Sequence, residues 1–304
     1  MNLFTVLCAV MPAVALAQVQ TVNSLPVSPT AVVTDASGYV YIAGSTQNPD
    51  LPALNSYQSR AVLSSVDLGS TWAAAGSFPQ ATVAGIAADP RVAGTLLATT
   101  VDGIWKTTDA GVHWRRVLSF PTPTSSTAPH DIAYDPAVPG HVLTVGYGSA
   151  DGGETWTPFT VLGATHWGPF AFDPRGNGVV FESGGAGYRS QDAGRTWTAL
   201  PGSPWRSFTF DTLRPGLVYG RGYTDEGLYI SFDGGATFTS KVLPFRNPRW
   251  PEYADGLVSL YADPGHAGRL YLITDAGVLY RSDDVAQTWQ QVYSGVSGLS
   301  LIHI

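Results

Sequence analysis

The chain has 304 residues, of which 44% are hydrophobic and 13% are charged, and its formal net charge is −7. This acidic balance does not favour binding to nucleic acid or to anionic membrane surfaces, because both need clustered positive charge. The 34 glycines and 22 prolines indicate a turn-rich β protein instead of a helical one.

The first element in chain order is a secretory signal, predicted over residues 1–17. Its apolar run, 3–16, is too short to span a bilayer comfortably, and the tripeptide 15–17 is an Ala-x-Ala cleavage site. We therefore expect a mature chain that begins at Gln18 and is secreted or periplasmic. The only cysteine, Cys8, lies inside this segment, so no disulfide and no thiolate metal site is expected.

Six copies of the pattern Ser/Thr-x-Asp-x-Gly-x-Thr-Trp follow, and we call each copy a box. They occupy 65–72, 107–114, 149–156, 190–197, 231–238 and 282–289. Their aspartates are Asp67, Asp109, Asp151, Asp192, Asp233 and Asp284. These aspartates lie 42, 42, 41, 41 and 51 residues apart. A period of this length with strand-like flanks is the signature of a β-propeller, so we predict an all-β fold of six recognisable four-stranded blades.

Between the boxes, apolar runs that mostly end in aspartate predict the inner strand of each blade. These runs are 31–35, 83–89, 131–135, 169–173, 208–211 and 257–263. A second strand follows each of them, at 39–43, 95–99, 142–145, 179–181, 217–220 and 270–273. A third strand leads into the box and a fourth leaves from its tryptophan. The tail 296–304 resembles the inner strand of a seventh blade, so two interpretations stay open: a padded six-bladed ring or a truncated seven-bladed one. We predict a single propeller domain over 18–304.

The boxes resemble the Asp-box, or BNR, repeat of sialidases, xyloglucan-degrading enzymes, sortilin-type receptors and a photosystem II assembly factor. Three copies depart from the pattern, with His113 in place of threonine, Phe238 in place of tryptophan and Ala286 in place of glycine. A segment at 35–52 also resembles a propeller repeat of secreted bacterial proteins. The resemblance implies that the boxes lie on the outer rim and are structural. Aspartate can bond the backbone N–H groups of its own turn, and tryptophan can bury a large face.

The loops that join outer strands to the next inner strands, and second strands to third strands, share one face in a propeller. Loops on a rigid scaffold commonly carry function. Aromatic and polar residues near these positions predict a site for a sugar or a peptide. The candidate contact residues are His130, His166, Trp167, Trp205, Arg206, Arg246, Arg249, Trp250 and Tyr253. The alternative is that Trp167 and Trp205 pack between blades and that the histidines cap strand ends.

Two further hypotheses involve catalysis or assembly. The segment 245–248, Phe-Arg-Asn-Pro, resembles a sialidase motif, but it follows the fifth box, whereas in sialidases the motif precedes the first. A glycoside hydrolase needs two carboxylates across a cleft, for which Asp131 and Glu252 are the candidates. An assembly factor resembling the photosystem protein would require a basic patch, and only Lys106 and Lys241 could help the arginines.

The sequence therefore favours a non-catalytic module that binds a glycan or a protein through its loop face. We expect no cofactor, no membrane insertion, no nucleic-acid partner and a monomeric state. No metal site is expected either, because the six histidines show no ligand pairing at i, i+2 or i+4.

Overall fold

The computed structural model describes residues 28–45, 60–67, 71–77, 83–120, 131–159, 169–184, 186–202, 204–222, 227–245 and 257–294. Within these ranges the regular secondary structure is β, in six antiparallel sheets of four strands each. Chain contacts divide the described residues into two compact units, 28–159 and 169–294. The signal segment and the tail 296–304 lie outside the described residues, and the single domain over 18–304 stays a prediction.

The first unit contains three sheets, each built from four consecutive strands. They are β1 (Ser28–Thr34), β2 (Val40–Ser45), β3 (Arg60–Ser65), β4 (Ala73–Ser77); β5 (Val83–Ala88), β6 (Leu96–Thr100), β7 (Gly103–Thr107), β8 (Arg115–Ser119); and β9 (Ile132–Tyr134), β10 (Val142–Thr144), β11 (Tyr147–Ser149), β12 (Thr157–Pro158).

The second unit contains three more sheets of the same kind. They are β13 (Phe170–Phe172), β14 (Val180–Glu182), β15 (Tyr188–Ser190), β16 (Thr198–Ala199); β17 (Trp205–Phe210), β18 (Val218–Gly222), β19 (Leu228–Ser231), β20 (Thr239–Lys241); and β21 (Leu257–Ala262), β22 (Leu270–Thr274), β23 (Val278–Ser282), β24 (Gln290–Ser294).

Strand order in every sheet follows the chain, as the repeat predicted. Each box is the turn between the third and fourth strands, at the end of the sheet that also holds the turn between the first and second strands. We call this the turn end. The opposite end, where first strands begin and second strands turn into third strands, is the loop end. The predicted second strands match the observed ones to within two residues at either boundary.

The core lies between the faces of neighbouring sheets within each unit. Second strands are buried on both sides, so all five residues of β6 and of β18 are buried. Fourth strands are more exposed, and all five residues of β24 face solvent. One cluster packs Phe181 of β14 against Trp205, Phe208 and Val218 of the next sheet. No helix in the described part of the chain is long and apolar enough to cross a membrane.

Candidate functional site

The turn end is held by the box carboxylates. In the first box, Ser65 Oγ donates to Asp67 Oδ1 at 2.8 Å, and the Thr71 hydroxyl donates to Asp67 Oδ2 at 2.6 Å. The Thr71 N–H also donates to Asp67 Oδ1, at 2.7 Å. The other boxes repeat this arrangement at closely similar distances, and in the second His113 Nδ1 takes the place of the threonine hydroxyl. Both carboxylate oxygens of each box are thus engaged by their own turn.

These bonds hold the box carboxylates ionised. The pKa is lowered to about 2 for Asp67, Asp233 and Asp284, and the largest cause in each is the hydrogen bond from the threonine hydroxyl. The pKa of Asp109 is also lowered to about 2, chiefly by the backbone N–H of His113. A carboxylate that stays ionised to such low pH cannot deliver a proton near neutrality, so these groups are unsuited to general acid catalysis.

Inner-strand aspartates occupy the same end and link neighbouring sheets within a unit. Asp35 Oδ1 accepts the backbone N–H of Ser37 at 2.9 Å, which shapes its own turn. Its Oδ2 accepts the N–H of Gly94 from the next sheet, at 2.9 Å. In the second unit, Asp211 Oδ2 accepts the N–H of Gly268 at 2.6 Å in the same way. The turn-end carboxylates described here therefore serve structure.

The two lysines are also engaged. Lys106 is 6% exposed, and its Nζ donates to Gly152 O and to Glu154 Oε1, each at 2.8 Å. Lys241 Nζ lies 3.4 Å from Gln287 Oε1. Lys106 is thus committed to a contact between two sheets of the first unit, and it is not a surface cation for a basic patch.

The loop end carries a β-bulge where four inner strands begin. In β17 the pairing with β18 shifts between Trp205 and Ser207, which leaves Arg206 as the extra residue. The same shift occurs in β1, β5 and β21. Bulges of this kind commonly redirect a side chain beside a binding site.

Trp205, predicted as a contact residue, is buried with 1% of its surface exposed. A Cβ built on Gly187 would lie 2.3 Å from its Cδ1, and one built on Gly220 would lie 2.6 Å from its Cζ3, so the indole fills a slot between two glycines. Its ring also packs 4.8 Å, centroid to centroid, from Phe238. The prediction that Trp205 contacts a ligand is therefore corrected. Strand β17 begins at this residue, and its ring packs between sheets, which is the alternative considered above.

Arg206, its neighbour, is exposed. Arg221 of β18 pairs with Ser207 in register and is only 6% exposed, so it lies at the same loop end with its side chain covered. Arg221 was not among the predicted site residues, although an arginine inside the otherwise uncharged strand 218–222 was the available signal. Asp131 precedes β9, is half-buried, and accepts the Thr144 hydroxyl on its backbone carbonyl at 2.8 Å.

The remaining predicted site residues lie outside the described residues. They are His130, His166, Trp167, Arg246, Arg249, Trp250, Glu252 and Tyr253. Across the described ranges, no group of three or more histidine, cysteine, aspartate or glutamate side chains could hold a metal ion.

Comparison with known proteins decides the fold class. No protein-family model and no curated protein matches the chain. Among solved structures, a GH74 xyloglucanase from Xanthomonas campestris is similar with a TM-score of 0.58 and 18% identity, over 85% of this chain and 45% of that one. YCF48 bound to a D1 peptide is similar with a TM-score of 0.58 and 17% identity, over 88% of this chain and 84% of that one.

YCF48 from Cyanidioschyzon merolae also has a TM-score of 0.58, with 14% identity over 90% of this chain and 88% of that one. The fold is a β-propeller. Its six four-stranded antiparallel sheets are the six blades that the sequence predicted. The chain spans less than half of the xyloglucanase it matches, and identities of this size establish the fold alone.

Proposed function

We propose that this propeller is a non-catalytic binding module that holds a polypeptide segment at the loop end of its blades. The observation that carries the proposal is a difference between the two ends of the sheets: the turn end is held by structural hydrogen bonds, and the loop end carries the bulges. Box and inner-strand carboxylates at the turn end are bonded into their own turns and into neighbouring blades. At the loop end, bulges interrupt four regular strand pairings, and in one of them the extra residue is the exposed Arg206.

A polypeptide is favoured over a glycan by the comparison structures. YCF48, a propeller that matches this chain over most of both lengths, was solved with a bound D1 peptide. The xyloglucanase match covers less than half of that enzyme. A glycan is the alternative ligand, and glycoside hydrolysis through Asp131 and Glu252 is the alternative activity.

We also propose that the working form is the secreted or periplasmic chain from Gln18 onward. The test uses this purified chain on an array of short immobilised peptides and on a glycan array, with thermal unfolding as the check of folding. Peptide binding that saturates and is competed by free peptide would support the proposal. Binding to glycans but not to peptides would show that the ligand is a glycan and not a polypeptide. Release of reducing sugar, lost in Asp131→Ala or Glu252→Ala, would replace the proposal with hydrolysis.

A further inference from the structure

The bulges recur at one position of the repeat. The extra residue lies between Pro29 and Ala31 in β1, between Val83 and Gly85 in β5, between Trp205 and Ser207 in β17 and between Leu257 and Ser259 in β21. The extra residues are Thr30, Ala84, Arg206 and Val258. In the described residues of β9 and β13 the pairing continues without a shift. A backbone irregularity repeated at one register is a designed feature of the fold.

Where side chains are described, the residue before the bulge is an anchor. Val83 is fully buried and Trp205 is 1% exposed, whereas Ala84 is half-buried and Arg206 is exposed. The buried side chain of the anchor fixes the backbone at the loop end. The extra residue is therefore held in place by the packing of its neighbour and not by its own side chain. Arg206 is therefore a side chain on a rigid support, which lowers the entropy cost of using it in recognition.

The bulged positions share a backbone but differ in chemistry. Thr30, Ala84 and Val258 are small and uncharged, and Arg206 alone carries a charge. In a repeat that keeps its turns and core constant, a fixed position with varied side chains is suited to encoding specificity. A guanidinium presents a planar fork of donors that matches a carboxylate with two parallel hydrogen bonds.

We propose that Arg206 is the specificity-determining residue of the loop end and that it takes a carboxylate of the bound segment, so the partner is an acidic peptide. The inference rests on the proposed function and adds the class of partner to it. An exposed arginine at a binding surface also contributes to the rate of association, so the preference for acidic peptides weakens as salt is added.

The experiment uses the mature chain and an array of short peptides in matched pairs, in which Asp replaces Asn or Glu replaces Gln at one position at a time. We expect the wild-type chain to prefer the carboxylate member of some pairs by about tenfold. Arg206→Met should lose this preference, and Arg206→Lys should retain part of it, because lysine keeps the charge but not the fork. Arg195→Ala is the matched control, since Arg195 is an exposed arginine of the same unit at the turn end, and it should behave as the wild type.

The outcomes separate the inference from the function on which it rests. If Arg206→Met binds the same peptides with an unchanged acid preference, the function stands and the inference is wrong. If folded wild-type chain binds peptides without any acid preference, the inference is wrong in the same way. If it binds no peptide at all, the proposed function is overturned and the inference with it. Equal melting temperatures of the variants would show that lost preference does not reflect lost folding.

Discussion

The Nδ1 atom of His113 lies 2.6 Å from Oδ2 of Asp109, at the place where the other boxes put a threonine hydroxyl. The histidine ring thus keeps the turn closed although the repeat pattern is broken there. The backbone N–H of His113 reaches Asp109 Oδ1 at 2.9 Å, as the equivalent threonine N–H groups do. The identity of this residue can therefore change as long as a donor reaches the second oxygen of the aspartate.

The first prediction concerns this substitution. His113→Thr should leave the melting temperature near that of the wild type, because the hydroxyl restores the bond made in the other boxes. His113→Ala should lower it, because Asp109 Oδ2 loses its side-chain donor. Thr71→Ala in the first box should cause a decrease of similar size, measured by differential scanning calorimetry. Equal melting temperatures for His113→Ala and His113→Thr would show that the ring contact does not stabilise the turn.

Acid should destabilise the protein over a defined window. The folded pKa of about 2 at Asp67, Asp109, Asp233 and Asp284 lies below the ordinary aspartate value of about 3.9. Between about pH 4 and pH 2 the unfolded chain therefore binds more protons than the folded chain, and stability falls as the pH is lowered through this range. Above about pH 5 these carboxylates are ionised in both the folded and the unfolded states, so they should no longer change the urea midpoint.

A single box provides the control for the acid effect. Asp284→Asn should lower the urea midpoint at neutral pH, because the amide cannot accept the same set of hydrogen bonds. It should also make the decrease between about pH 4 and pH 2 shallower, since one titrating group is gone. An acid limb identical to that of the wild type would show that Asp284 does not contribute to it.

Substitution of Trp205 should lower the free energy of unfolding, and any effect on binding should follow from that loss of stability. Trp205→Ala should lower the free energy of unfolding by about 3–5 kcal/mol, because it leaves a cavity beside the rings of Phe208 and Phe238. Trp205→Phe should be milder, since most of the aromatic volume remains. Chemical denaturation measures both, and binding by Trp205→Ala is informative only where the variant is folded. A loss below about 1 kcal/mol would contradict the buried placement.

The glycine of the fifth box should not tolerate a side chain. Gly235 has φ of +79°, and a Cβ there would lie 2.1 Å from the buried Phe181 ring. Gly235→Ala should cost about 2 kcal/mol or more, through both strain and overlap. Ala286, at the same position of the sixth box, adopts φ of +58° and is fully buried. Ala286→Gly should change stability by less than about 1 kcal/mol, because relief of strain offsets the lost methyl contact.

Much of this fold could be predicted from the sequence because the box couples a local pattern to a fixed turn. Each aspartate needs its serine or threonine two residues before and its partner four residues after, so the pattern locates a strand pair. Because the boxes fix the positions of the turns, an apolar run such as 270–273 can only be the second strand of its sheet. The observed β22 confirms that placement.

The candidate site was harder to predict because its decisive features depend on pairing between distant segments. Trp205 follows Pro204 and is followed by Arg206 and Ser207, so its sequence suits a loop as well as a strand. The slot that buries it is formed by Gly187, which lies just before β15, and by Gly220 of β18 in the next sheet. The bulge that exposes Arg206 exists only relative to the register of β18. No local sequence pattern records such relationships.

The hydrogen bonds that Gly94 donates to Asp35 and that Gly268 donates to Asp211 give the repeat a direction. In each case the oxygen belongs to the earlier sheet and the N–H to the following one. An earlier sheet that has just left the ribosome therefore holds a carboxylate whose partner in the next sheet has not yet been synthesised. The bond to the next sheet forms only when that sheet arrives, so at these two places nearest-neighbour coupling ties one repeat to its successor. Loss of the second or of the sixth sheet would then loosen the sheet before it.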